Sequence, residues 1–251
     1  MRGPSGSTDS GVLPLVDACK VCRYRYLGVE FATEKLALIA RIAADMALNI
    51  AQLLGDLPEA QQGYFTRAQA SVAGVEDFEL TRAVNHGFIN RLDHGVYRVV
   101  GAGYDEHEGL RVAWFRLHPG ASPRDRVRRP RIWVSHESAA SLHGFGVYLA
   151  NTPSFITVDR LQPRKGVKVY RRSNGLERHE YTVIDGFALT TIARTAADLA
   201  RSKSDGGHLG RFIDEAIRAQ AVTLAEVAEA MKLATGEVES MIAMDSQPAS
   251  P

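Results

Sequence analysis

Two neighbouring stretches decide the fold: Thr66-Arg67-Ala68-Gln69-Ala70-Ser71-Val72-Ala73-Gly74-Val75, then Asp77-Phe78-Glu79-Leu80-Thr81-Arg82-Ala83-Val84-Asn85-His86-Gly87. Thr66 is suited to cap a short helix over Ala68 to Ala73, and Gly74 to stop it, because a hydroxyl accepts from free first-turn amides and glycine tolerates the left-handed stop conformation. After one turn, Asp77 to His86 predicts a second helix. Leu80, Ala83 and Val84 fall on one face, while Glu79, Arg82, Asn85 and His86 point to solvent. Two short helices joined by a tight glycine-containing turn make a helix-turn-helix candidate. Directly behind it, Phe88 to Val99 reads as two short strands turned at Asp93-His94-Gly95, the position of a wing.

Upstream, Leu36, Ile39, Ala43, Ile50 and Leu54 recur at helical intervals, and Gly55 closes the run, so one helix is expected over Thr33 to Leu54. Residues 1–32 are Gly-, Ser- and Pro-rich at first and then aperiodic, which predicts a disordered extension. Met46 inside the helix leaves open that translation begins there. Domain boundaries follow: a helix plus winged helix-turn-helix over 33–101, a second domain over 103–243, and a loose tail over 244–251.

The second region mixes both kinds of element. Leu110 to His118 is helix-like, Pro119 to Pro130 reads as a basic loop, and Ile132 to Val134 as a strand. Ser135 is placed to cap a helix from His136 to His143. Phe155 to Val158, Val167 to Arg171, Tyr181 to Ile184 and Phe187 to Leu189 are strand candidates, and helices are expected over Thr191 to Ala200, Leu209 to Gln220 and Thr223 to Leu233. The fold class is α+β: an N-terminal winged helix-turn-helix followed by a mixed α/β C-terminal domain.

The 251 residues are 45% hydrophobic and 24% charged, with 30 Lys+Arg against 29 Asp+Glu. That length is one or two domains with room for a real core. A net charge of +1 excludes a protein that coats nucleic acid by charge alone, so any nucleic-acid face must be local. The longest apolar stretch, Leu36 to Leu54, is interrupted by Arg41 and Asp45 and is not a membrane span. With no signal-peptide pattern either, a cytoplasmic protein without a membrane partner is expected. Arginine far outnumbers lysine, which suits phosphate recognition and equally follows from a GC-rich genome.

Several chemical motifs are weighed and set aside. Cys19 and Cys22 form a single C-x-x-C without the further ligands a zinc site needs. His136-Glu137 with His143 has the wrong spacing for H-E-x-x-H and lacks a third ligand. No nucleophile elbow, phosphate-cradling glycine loop or acidic-x-Lys pair occurs, so no catalytic residue, cofactor or metal is expected and the protein is read as a non-enzyme.

The residues that could meet DNA are Thr81, Arg82 and Asn85 at base edges, with Thr66, Arg67, Arg91, His94 and Arg98 on phosphates. The same pattern fits a small helical subdomain with a solvated polar face, and Asp56, Glu59, Glu76, Asp77, Glu79 and Asp93 make the segment slightly acidic. Secondary phosphate contacts could come from Arg124, Arg126, Arg128 and Arg129, and from Lys168 and Arg171 on a strand; charges that keep a sheet edge soluble explain these equally well.

Four blocks in order carry a resemblance. They are Tyr64 to Ala70 with Gly74, Leu80 and Gly87; Arg91 to Arg98; Val134-Ser135-His136-Glu137-Ser138-Ala139-Ala140-Ser141-Leu142-His143-Gly144; and Thr190-Thr191-Ile192-Ala193-Arg194-Thr195-Ala196-Ala197-Asp198-Leu199. Over about Met46 to Met231 the chain resembles AbiEi-type antitoxins and transcriptional regulators of type IV toxin-antitoxin systems. The resemblance implies an autorepressor whose winged helix binds inverted repeats in its own promoter. It further implies an antitoxin that counters a nucleotidyltransferase toxin, with direct contact left open. By position it singles out Arg67, Arg82, Asn85 and Arg91 as DNA-facing, and Ser135, His136, Arg194 and Asp198 as motif positions whose chemistry reads as architectural. Two alternatives stay open: a solitary winged-helix transcription factor without a toxin, and a non-catalytic remnant of a nuclease-fused relative.

Overall fold

The computed structural model describes residues 49–162, 164–202 and 206–245. The expected extension over 1–32, the C-x-x-C, the first part of the Thr33–Leu54 helix and nearly all of the expected tail lie outside these residues. Helix α1 (residues 49–54) leads through a 3-10 turn, Glu59–Gln61, into β1 (Tyr64–Thr66). Helices α2 (Arg67–Val72) and α3 (Asp77–Asn85) follow, then β2 (Ile89–Asp93) and β3 (Val96–Val99). This is a winged helix-turn-helix with one element more than expected, because β1 adds a third strand in the order β1-β3-β2.

Local chemistry explains each boundary. The Thr66 hydroxyl accepts from the Gln69 amide while the Gln69 side chain accepts from the Thr66 amide, a reciprocal capping box that starts α2. Glu76 and Glu79 repeat the device at α3. The wing turns through His94-Gly95, where Gly95 takes a φ of +72° that a larger side chain adopts only with strain. The face of α3 carrying Leu80 and Ala83 buries against Ile50, Leu54, Phe65, Ala70, Val75, Ile89 and Tyr97.

The rest of the described chain builds a five-stranded sheet in the order β6-β5-β4-β8-β7 from β4 (Ile132–Val134), β5 (Ser154–Thr157), β6 (Lys168–Arg171), β7 (Tyr181–Ile184) and β8 (Phe187–Thr190). Strands β4 and β8 run parallel, and each feeds a helix: α6 (His136–His143) and α7 (Ile192–Ser202). Helices α8 (Gly206–Arg218), α9 (Leu224–Met231) and α10 (Thr235–Asp245) pack on α6 and α7 around Leu199, Phe212, Ile213, Val227 and Val238. Helix α10 was not expected from the sequence. Nor was α5 (Pro123–Arg128), which occupies the stretch expected as a basic loop; Ser122 accepts from the Asp125 amide and Pro123 stands at its first turn, a favourable start for a helix.

The winged helix and the second domain share a core. Tyr64 and Val96 belong to the same buried cluster as Trp114 and Phe115 of α4 (Glu108–Leu117) and Val134, Phe155, Phe187 and Leu189 of the larger sheet. The expected boundary near residue 102 is therefore bridged by packing and by a buried polar knot. The Tyr64 hydroxyl donates to Asp105 Oδ2 at 2.8 Å, and Arg111 Nε donates to the same oxygen at 2.6 Å. Arg111 and Asp105 side chains are only 3% and 4% exposed. Burial alone would raise the Asp105 pKa, but the Arg111 guanidinium, the His107 amide and the Tyr64 hydroxyl outweigh it and hold the carboxyl below its usual range.

Removing one member of such a pair strands the other charge. Asp105→Ala is expected to cost about 3–5 kcal/mol, or a fall in Tm of roughly 6–20 °C, by thermal denaturation at neutral pH. The wild-type advantage should narrow as the pH falls below about 4, because a carboxyl with a lowered folded-state pKa loses its contribution on protonation.

Candidate nucleic-acid interface

On α3, Thr81, Arg82 and Asn85 are all exposed, one to four residues apart, on the face opposite Leu80 and Ala83. The Thr81 hydroxyl donates to the Asp77 carbonyl at 2.9 Å, which commits its hydrogen to the helix and leaves the methyl and the oxygen lone pairs for a neighbour. The Arg82 guanidinium lies 5.6 Å from the ring centre of Phe78, one turn earlier. Phe78 is 56% exposed, and the sequence reading missed it. Its signal was an aromatic residue on the polar side of an otherwise amphipathic helix.

The expected phosphate contacts divide. Arg91 and His94 are exposed together on the wing, with Arg91 Nη2 3.4 Å from His94 Nδ1. Arg67 is exposed but pairs with Asp77 through Nε and Nη2, tying the start of α2 to the start of α3. Two others need correction. Thr66 is fully buried, its hydroxyl capping α2 and donating to the Pro119 carbonyl at 2.5 Å, so it has no surface to offer a phosphate. Arg98 stands opposite Tyr64 in the β1–β3 register, on the face that α4 covers. Its side chain is 13% exposed, donates to Glu108 at 3.2 Å and to the Gly103 carbonyl, and lies 4.7 Å from the Tyr64 ring centre.

Among the secondary candidates, Arg124, Arg128 and Arg129 are exposed and line one shallow concavity with Ser122 and Asp125. The loop before them is held to the winged helix, since the Ala121 carbonyl accepts from Gln69 Nε2 at 2.7 Å. Arg126 is the third correction: it is 5% exposed and turned inward over Phe115 and Trp114. Lys168 and Arg171 are exposed on the edge strand β6, where Lys168 lies 3.7 Å from Glu137.

The motif positions of the second domain form a separate network where β4 and β8 feed their helices. His136 is buried at a φ of +51°, stacks on Tyr170 at 3.8 Å and places Nδ1 2.9 Å from the Ser135 hydroxyl. That contact corrects the expected role of Ser135: it stands at the start of α6 but makes no side-chain cap. Burial holds the His136 pKa below the usual histidine range. Arg194 bonds Asp198 at 2.9 Å, one turn along α7, and reaches Glu180 at 2.5 Å, where Arg172 also ends at 2.8 Å. This pairing joins α7 to the segment before β7. Among the described residues no group of three or more His, Cys, Asp or Glu side chains is placed to hold a metal, and no helix is long and apolar enough to cross a membrane.

No curated protein matches the chain. The fold is similar to a solved structure described as that of the RV2827C protein from Mycobacterium tuberculosis, at 13% identity and a TM-score of 0.49, covering 84% of this chain and 78% of that one. Residues 56–100 match the family described as "Transcriptional regulator, AbiEi antitoxin". That match spans β1, α2, α3 and the wing. Over residues 56–100 the winged helix of this chain is thus similar to the AbiEi antitoxin family of transcriptional regulators.

Proposed function

We propose that this protein is a DNA-binding autorepressor and antitoxin that recognises inverted repeats in its own promoter and counters a nucleotidyltransferase toxin from the cytoplasm, with no catalytic step of its own. The observation that carries the reading is the exposed face of α3. A helix of this size enters the major groove, where Arg82 is suited to guanine, Asn85 to adenine, and the Thr81 methyl and Phe78 ring to the thymine methyl. Arg91 and His94 on the wing, with Arg124, Arg128 and Arg129 beside α2, supply the cations for the backbone. One recognition helix reads only a few base pairs, so repeats bound by two copies give useful specificity. The antitoxin half of the proposal rests on the family match and on the second domain fixed to the winged helix by their common core.

The decisive measurement compares binding to the native upstream region with a scrambled duplex of equal length, across a salt series. Preference for the native sequence that survives moderate salt is expected, and equal, salt-labile binding to both sinks the reading. Arg82→Ala and Asn85→Ala should each reduce native-site affinity by roughly 5- to 150-fold while leaving scrambled-duplex binding nearly unchanged. Rescue of growth when the protein is co-expressed with a nucleotidyltransferase toxin then tests the antitoxin role.

A second prediction concerns the Arg67–Asp77 pair. Asp77 occupies the Arg67 guanidinium through two hydrogen bonds and offsets its charge, which keeps it from a phosphate. Asp77→Ala is expected to free Arg67 and to steepen the dependence of log affinity on log salt concentration by about 0.9, the increment for one added phosphate contact. An unchanged slope would show that Arg67 stays off the backbone.

A further inference from the structure

Arg126 and Arg111 line the same small pocket, of about 70 Å³, with Gln61, Gln62, Trp114 and Phe115. It lies where the 3-10 turn of the winged helix meets α4, α5 and the turn between β7 and β8. Both arginines are almost wholly withdrawn from solvent, at 3% and 5% exposure for Arg111 and Arg126. Their pairing is unequal. Arg111 Nε is bonded to Asp105 and its Nη1 donates to the Asp185 carbonyl at 3.1 Å, while its Nη2 is buried without a partner. Arg126 Nη2 donates to the His118 carbonyl at 2.7 Å, its Nε is buried without a partner, and no carboxylate pairs with it among the described residues.

Two guanidiniums and one carboxylate leave a single buried positive charge. The faces of Phe115 and Trp114, 4.2 Å and 5.4 Å from the Arg126 guanidinium carbon, offset part of its cost. They cannot accept its Nε–H in the plane of the guanidinium. Burial lowers the Arg126 pKa to about 9, so the side chain remains a cation at neutral pH. At about 30 Å³ for each water-sized group, the pocket admits one small ion with at most one water and excludes a nucleotide or sugar phosphate.

We propose that this pocket is a binding site for a small monovalent anion, chloride in solution, held by the Arg126 and Arg111 side chains that line it. The bound ion neutralises the leftover charge and offers an acceptor to guanidinium donors buried without one. Because Gln62 Nε2 also donates to the Asp185 carbonyl at 3.3 Å beside the pocket, the ion adds a contact where the winged helix meets the second domain. The site stands independently of any reading of DNA binding.

The full chain should melt at least about 3 °C higher in 0.5 M sodium chloride than in sodium gluconate of equal ionic strength, since an ion bound only by the folded state stabilises it by mass action. In Arg126→Met the chloride increment should vanish, and the midpoint in gluconate should equal or exceed that of the wild type because the uncompensated charge is gone. Crystals of the wild-type protein grown in bromide should show an anomalous peak between the two guanidiniums, a readout that does not depend on the variant folding. An equal chloride increment in wild type and variant, or water in place of an anomalous peak, overturns the site.

Discussion

The placement of the wing depends on one carboxylate oxygen. Asp105 Oδ2 receives both the Tyr64 hydroxyl and Arg111 Nε, and Arg111 in turn donates to the Asp185 carbonyl. Tyr64 belongs to β1, whose backbone pairs hold β3 and through it the wing. This buried knot, with the apolar core around it, therefore sets the angle of the winged helix against the five-stranded sheet. A second tie repeats the arrangement at the other end of the wing, where Asp93 beside the turn accepts from Arg116 of α4 at 2.6 Å. The three-stranded sheet is thus packed on both faces, by α3 on one side and by the domain behind it on the other.

Charge on the proposed DNA face is close to balanced, which shapes how the face must work. Arg67 is matched by Asp77, and Glu76 and Glu79 are spent on the capping box of α3. These acids favour helix formation, because negative charge at a helix N-terminus complements the macrodipole, and they also weaken attraction to phosphate. A face built this way gains little from non-specific binding, so its discrimination has to come from contacts to base edges. Apart from Arg82 on α3 itself and the paired Arg67, the exposed cations are Arg91 on the wing and Arg124, Arg128 and Arg129 in and just after α5, which flank α3 in sequence.

Most of the winged helix was legible in the sequence because its signals are local: the Thr66 cap, Gly74, the amphipathic repeat of α3 and the Asp93-His94-Gly95 turn. Strand β1 was not, for a physical reason. Its successive residues Tyr64 and Phe65 face two different cores, one with α4 and the larger sheet and one with α3, so both are apolar and the alternation that marks a strand disappears. Arg98 was misplaced by the same geometry, since the face of β3 opposite Tyr64 is covered by an element distant in sequence. Helix α10 could have been found: Val238, Met241 and Ile242 stand at helical spacing and pack on the α8 cluster, and Glu237 accepts from the Ala234 amide at its start.

The stretch from Arg124 to Arg129 shows what missing a short helix costs a functional reading. Taken as a loop, its four arginines are equivalent and all become phosphate contacts. Taken as a helix begun by Ser122 and Pro123, they are not: Arg124 and Arg128 share a face one turn apart, while Arg126 lies about 200° around from Arg124 and must enter the protein. Residue 126 meets Phe115 and Trp114 there, and an arginine can bury its stem and stack its guanidinium where a lysine would leave a bare ammonium. The arginine bias of this chain therefore carries two unrelated roles within six residues, solvent-facing cation and aromatic-stacked core, and only the helical phase separates them.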